Sequence, residues 1–136
     1  MKSRPRVLIV DDEPALRRTL ERALRSLRCE AISVGNPQLV YEMLDGSDFD
    51  VVLLDLHLPQ ISGDVLFLAM IRRWPRLRNR ILLMSGDPGV VTPDSPAELR
   101  RAPLLAKPFT LDVLHRAVQE VLAAAQATED RRTQNG

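Results

Sequence analysis

A parallel α/β sandwich is the fold this sequence predicts, and three features of the chain predict it. Five short apolar runs, Val7–Val10, Ala31–Val34, Val51–Leu54, Ile81–Met84 and Leu104–Ala106, are too short for helices and rich in Val, Ile and Leu. They lack polar alternation, the character of strands buried on both faces. Segments of helical period separate the runs, so strand and helix alternate along the whole chain. Its 136 residues, 45% hydrophobic and 27% charged, suit one soluble domain with its own core.

The helices follow in order. From Pro14 to Arg28, Leu16, Leu20, Ala23, Leu24 and Leu27 form an apolar stripe, and Arg18, Arg22 and Arg25 a wet one. Asp12 is placed to cap this helix, with Glu13 and Pro14 in favoured first-turn positions. A second helix is expected from about Pro37 to Leu44, ending near Gly46. A third runs from about Gly63 to Arg73 and stops at Trp74-Pro75, since the residue before a proline avoids helical backbone. Gly86–Pro96 contains Gly86, Pro88, Gly89, Pro93 and Pro96, leaving Ala97–Ala102 for a fourth helix that should be short and loosely held. The last helix, Leu111 to about Ala125, aligns Leu114, Ala117, Val118, Val121, Leu122 and Ala125 on one face. The tail Thr128–Gly136 is polar and expected to fray. No internal repeat, linker or second domain stands out.

Composition narrows the function. Nineteen basic against eighteen acidic residues give +1, too balanced for a chain built mainly to coat nucleic acid. One cysteine, Cys29, excludes an intrachain disulfide and multi-cysteine zinc sites, and buried packing is the expectation for it. No apolar run approaches the length of a membrane helix, and the basic start Met1–Arg6 lacks the apolar stretch of a signal peptide. A cytoplasmic protein is expected.

In open parallel sheets, ligands sit beyond the carboxyl ends of the strands. Those ends carry Asp11-Asp12 after the first run, Asp55 after the third, Ser85 after the fourth and Lys107-Pro108 after the fifth. Three carboxylates at one rim repel: two unit charges at 4 Å cost about 4 kcal/mol at an effective dielectric of 20. Lys107 offsets one charge. A hard divalent ion such as Mg²⁺, which takes carboxylates, waters and phosphate oxygens, would offset two more. A carboxylate beside a metal, a hydroxyl and a lysine suits phosphoryl transfer onto Asp. The chain uses 17 Arg but only two Lys, so Lys107 marks a place where a compact point charge is wanted.

Four motifs now stand in order: Val10-Asp11-Asp12-Glu13, Leu53-Leu54-Asp55-Leu56-His57-Leu58-Pro59 with Ser62-Gly63, Met84-Ser85-Gly86, and Lys107-Pro108-Phe109. Intervals of 43, 30 and 22 residues separate Asp12, Asp55, Ser85 and Lys107. Over about Arg6–Ala125 the chain resembles the receiver domain of two-component response regulators. The resemblance implies a flavodoxin-like (βα)5 sandwich of three layers, strand order 2-1-3-4-5, with residues 1–127 as the receiver and 128–136 as a tail. It also implies roles. Asp55 would accept a phosphoryl group from a phosphohistidine on a sensor histidine kinase or histidine phosphotransfer protein. Asp12, Asp55 and the backbone carbonyl of His57 would ligate Mg²⁺, with Asp11 acting mainly through water. Ser85 would bond a phosphoryl oxygen, and Lys107 would pair with the phosphoryl group beside a cis Lys107–Pro108 bond. Output would go to a separate effector protein or pass the phosphate on, with no direct contact to nucleic acid or membrane.

Blander readings compete at several positions. Asp11-Asp12 alone could be a helix cap, and Asp55 the start of a turn. The His57 side chain reads as a bystander and His115 as solvated. Arg72–Arg80, five arginines around Trp74, reads as a solvated loop at the far end of the sheet. Arg18, Arg22 and Arg25 are expected to help choose the phosphodonor. Leu104 stands where the resemblance expects an aromatic ring, so the usual ring-based readout is not expected. The rival functions are a degenerate receiver serving as a protein-binding scaffold and a phosphohydrolase with a nucleophilic aspartate.

Overall fold

The computed structural model describes residues 4–135; Met1–Ser3 and Gly136 lie outside them. Five parallel strands, β1 (Arg6–Val10), β2 (Glu30–Val34), β3 (Val51–Asp55), β4 (Ile81–Ser85) and β5 (Leu104–Ala106), stand in the order β2-β1-β3-β4-β5. Their side chains alternate between two cores. Val7, Ile9, Val51, Leu53, Leu82 and Met84 face α1 (Pro14–Ser26) and α5 (Leu111–Asn135). Leu8, Val10, Val52, Leu54, Ile81 and Leu83 face α2 (Pro37–Gly46), α3 (Gly63–Arg73) and α4 (Ala97–Arg101). Because both faces are covered, the inner strands need no polar alternation, and β3 and β4 are buried along their whole length.

Three details depart from the sequence reading. First, Asp12 does not cap α1. The N-cap is Glu13, without a side-chain bond, and the amide of Glu13 is taken by the carboxylate of Asp11 at 2.9 Å. The helix also stops short of Arg28, which sits at φ 64°. The amides of Arg28 and Cys29 fold back onto the carbonyls of Arg25 and Leu24, both at 3.0 Å, a Schellman ending with arginine where glycine is usual.

Second, Arg72–Arg80 is largely solvent-facing, as expected, but it is not an irregular loop. Pro75–Asn79 forms a 3₁₀ turn held by three of the arginines. Arg73 Nη2 donates to both Asp45 carboxylate oxygens at 2.8 and 2.9 Å, Arg76 donates to the Phe49 carbonyl at 2.6 Å, and the buried Arg80 donates to the Asp50 carbonyl at 3.2 Å. Third, the tail does not fray at Thr128. Ala125 is still buried, Arg80 pairs with Glu129, and α5 continues to Asn135.

The proline-rich stretch behaves as its composition suggests. It forms a 3₁₀ turn at Pro88–Val90 and then an α4 of five residues. So short a helix leaves a groove of about 550 Å³ beside α5, lined by Ile81, Glu98, Arg101, Pro103, Val121 and Ala124 among others.

Candidate functional site

Parallel pairing carries the ends of β1, β3, β4 and β5 to one rim. The ladder extends past the strands: Asp11 donates its amide to Val34 at 3.2 Å, Leu56 to Met84 at 3.0 Å and Lys107 to Ser85 at 2.7 Å. The backbone is therefore fixed where each of these strands ends at the rim, at Asp11, Asp55, Ser85 and Lys107. Asp11, Asp12 and Asp55 each place a carboxylate oxygen there, all within 4.8 Å of one another. Lys107 Nζ donates to Asp11 Oδ2 at 2.8 Å and lies 3.4 Å from Asp55 Oδ2. The Lys107–Pro108 bond is cis.

Burial sorts the three acids. Asp11 and Asp55 are 0% and 3% exposed, whereas Asp12 is open to solvent. Asp11 has both oxygens engaged, Oδ1 with the Glu13 amide and Oδ2 with Lys107. Asp55 Oδ1 accepts the His57 amide at 3.0 Å. Asp12 makes no side-chain hydrogen bond or ion pair among the described residues. One lysine against three carboxylates leaves the rim anionic by two charges. Desolvation works to lower the Lys107 pKa, but the hydrogen bond to Asp11 and the charges of Asp55 and Asp11 outweigh it, so the ammonium is held above its ordinary value.

Ser85 is fully buried beside this cluster, and its hydroxyl is turned toward the following loop. Oγ donates to the Asp87 carbonyl at 2.8 Å and accepts the Asp87 amide at 2.9 Å. His57 Nε2 lies 2.8 Å from the same oxygen. Sequence reasoning assigned His57 only a carbonyl; its imidazole in fact joins the loop after β3 to the end of β4. Nothing in the local sequence signals this, because the two residues are 28 apart.

Elsewhere the expected side chains divide. Arg18, Arg22 and Arg25 are all exposed on α1, and Arg25 in addition donates to the Ala31 carbonyl at 3.1 Å and pairs with Glu21. Cys29 is buried, and its thiol pKa is raised by burial first and by the charge of Asp50 second. His115 is exposed on α5. Among the described residues no helix is long and apolar enough to cross a membrane.

A regulator's signal-receiving module is the class that this sheet order and acidic rim define. The sequence pattern of the response regulator receiver domain matches residues 7–119, and the chain belongs to that family. It is 31% identical over 121 residues to the response regulator receiver protein CpdR of Brucella abortus, covering 88% of this chain and 98% of that one. It is 30% identical over 118 residues to the DNA-binding transcriptional regulator NtrC of Azospirillum brasilense, covering 85% of this chain but only 24% of NtrC. Among solved structures, the signal receiver domain of an HD domain-containing protein from Pseudomonas fluorescens superposes with a TM-score of 0.82 at 22% identity, covering 96% of both chains. The response regulator TrrA of Thermotoga maritima, solved in complex with Mg²⁺-BeF, gives 0.74 at 25% identity over 87% of this chain and 99% of that one. Receiver domains are phosphoacceptor switches of two-component systems and not enzymes in the usual sense.

Proposed function

We propose that Asp55 accepts a phosphoryl group from a phosphohistidine on a sensor histidine kinase or phosphotransfer protein, and that Mg²⁺ is needed for the transfer. What carries this reading is one observation: three carboxylates from distant strand ends converge within 4.8 Å of one another, and Lys107 reaches two of them, Asp11 and Asp55. A hard, oxygen-only donor set with two uncompensated charges fits Mg²⁺. Asp12, Asp55 and the His57 carbonyl would hold it, and Asp11, with both oxygens already engaged, would act through water. Bound there, the ion would neutralise charge on the phosphoryl oxygens.

The protein's own residues do the rest. An Asp55 oxygen attacks phosphorus as the phosphorus–nitrogen bond of the donor breaks, and the imidazole leaves with the electron pair. Lys107 is held ionised 3.4 Å from the Asp55 carboxylate, so it would pair with a phosphoryl group formed there. For Ser85 to bond a phosphoryl oxygen, its hydroxyl must release the Asp87 carbonyl, and the loop beyond it must rearrange. That movement, in place of an aromatic ring swing at Leu104, is the readout. Intact acids and lysine argue against a degenerate scaffold. We propose that the protein works in the cytoplasm and either signals to an effector or passes the phosphate on.

Incubation with acetyl phosphate and MgCl₂ followed by intact mass measurement tests the acceptor. Wild type should gain one phosphoryl unit and Asp55→Asn none; equal modification of both would mean a different acceptor. Arg18 and Arg22, exposed on α1, are proposed to meet the protein donor. Reversing both charges should slow transfer from a phosphorylated kinase and leave acetyl phosphate labelling unchanged, and equal slowing of both would remove that role.

A further inference from the structure

We infer that Arg17, seated on Gly35, is a positioning residue for the magnesium site, holding the peptide that carries Asp12. The inference rests on the reading of the rim as a metal site.

Asp11 is fastened at four points. Its amide donates to Val34, Oδ1 accepts from Glu13, Oδ2 accepts from Lys107, and its carbonyl accepts from Arg17 Nη1 at 2.8 Å. The first three hold Asp11 itself. The fourth is different, because that carbonyl belongs to the rigid peptide plane joining Asp11 to Asp12. Its direction sets where the Asp12 Cα, and hence the Asp12 carboxylate, can stand. Asp12 is exposed and has no side-chain fastening of its own among the described residues. Its place near Asp55 is therefore inherited from this backbone.

The seat for Arg17 is built from the other side. A Cβ on Gly35 would stand 2.6 Å from Arg17 Nη1 and 3.2 Å from its Cζ, and the three atoms it would meet first all belong to Arg17. Gly35 does not have positive φ, so the backbone does not demand glycine there; the guanidinium does. Arg17 is half-buried, while its neighbour Arg18 in the sequence is exposed.

Charge alone would argue against an arginine here. A cation beside the rim repels a second cation, so simple removal of its charge should tighten magnesium binding. Loss of positioning should loosen it, and the two roles therefore predict opposite signs. The test is calorimetric titration with MgCl₂ alone, without phosphodonor, on wild type, Arg17→Ala, Gly35→Ala and the double variant, with Asp12→Ala as reference. Each single variant should weaken binding about tenfold, the scale of lost outer contacts to metal ligands. The double variant should bind like Arg17→Ala, because the new methyl then has nothing to displace. Gly35→Ala keeps the charge and meets only the mobile end of a side chain, so it reads positioning in a protein that folds normally. Binding by Arg17→Ala as tight as or tighter than wild type, or no effect of Gly35→Ala, overturns the inference. If wild type and Asp12→Ala titrate alike, the metal reading is wrong and this inference falls with it.

Discussion

Two loops leave the same rim of the sheet and are built in opposite ways. The one after β3 follows the acceptor Asp55 and is locked to the core. Leu56 and Leu58 are each 6% exposed, Leu56 is hydrogen-bonded to Met84, and the amide of Gly63 closes onto the Leu56 carbonyl at 3.2 Å. The one after β4 follows Ser85 and is mostly exposed from Gly86 to Asp94. Its hydrogen bonds are local, Asp87 to Gly89 and Thr92 to Ser95. The contrast separates two tasks. Phosphoryl transfer needs an acceptor that stays where the lysine and metal ligands are, whereas a readout needs a segment whose rearrangement costs little. Few buried contacts and short-range hydrogen bonds put the second loop at the low end of local stability.

Glycines test this contrast most strongly. A Cβ at Gly63 would stand 2.4 Å from the Cα of Leu56, a backbone atom that cannot step aside, whereas a Cβ at Gly86 meets nothing within 4 Å. Gly63→Ala should cost about 3 kcal/mol in urea unfolding, the upper range for overpacking. Gly86→Ala should change stability by less than about 0.5 kcal/mol. Equal costs would mean that the two loops are not differently built.

The tie between them comes next in size. His57 Nε2 and Ser85 Oγ are 2.8 Å apart, the side-chain link from the stiff loop to the start of the soft one. His57→Ala should cost about 1 kcal/mol, as for one net hydrogen bond. Hydrogen exchange should quicken across Gly86–Ala102 and stay unchanged across β3. In wild type, a phosphoryl mimic with Mg²⁺ should slow exchange over the same Gly86–Ala102 stretch, by ordering it. Exchange there that responds to neither change would remove the loop as the readout element.

The same contrast explains what the sequence revealed. Strands were legible because each is a contiguous apolar run, and Asp11, Asp55, Ser85 and Lys107 because parallel strands must deliver their ends to one rim. The short α4 was legible from prolines alone. What escaped reading depends on partners far along the chain. The last turns of α5 look polar enough to fray, yet Arg80 holds Glu129 across 49 residues. The order around the 3₁₀ turn was not legible because Asp45, Phe49 and Asp50, the partners of Arg73, Arg76 and Arg80, lie about one βα unit away. Asp12 looked like a helix cap because capping residues are recognised by type, but α1 starts one residue later, with Glu13 as N-cap and its amide taken by the Asp11 carboxylate.

The smallest effect expected is the response of stability to alkali, and it belongs to the locked parts of the molecule. Lys107 has a raised pKa in the fold, through Asp11 and Asp55 overcoming burial. Its contribution is complete below the unfolded value of about 10.4 and is lost as pH climbs through the higher folded value. Cys29 has a raised pKa through burial and then Asp50. The unfolded thiol ionises from about pH 8.5, before the folded one, so the fold loses stability from there upward until the buried thiol ionises too. Urea midpoints should therefore decline in two stages, the first setting in near pH 8.5 and the second near pH 10.4, roughly the unfolded values of the two groups. Cys29→Ala should flatten the first stage and Lys107→Met the second, each leaving the other in place. The soft loop contributes neither group, so a single decline that survives both substitutions would place the alkali-sensitive element outside the packed sheet and its acidic rim.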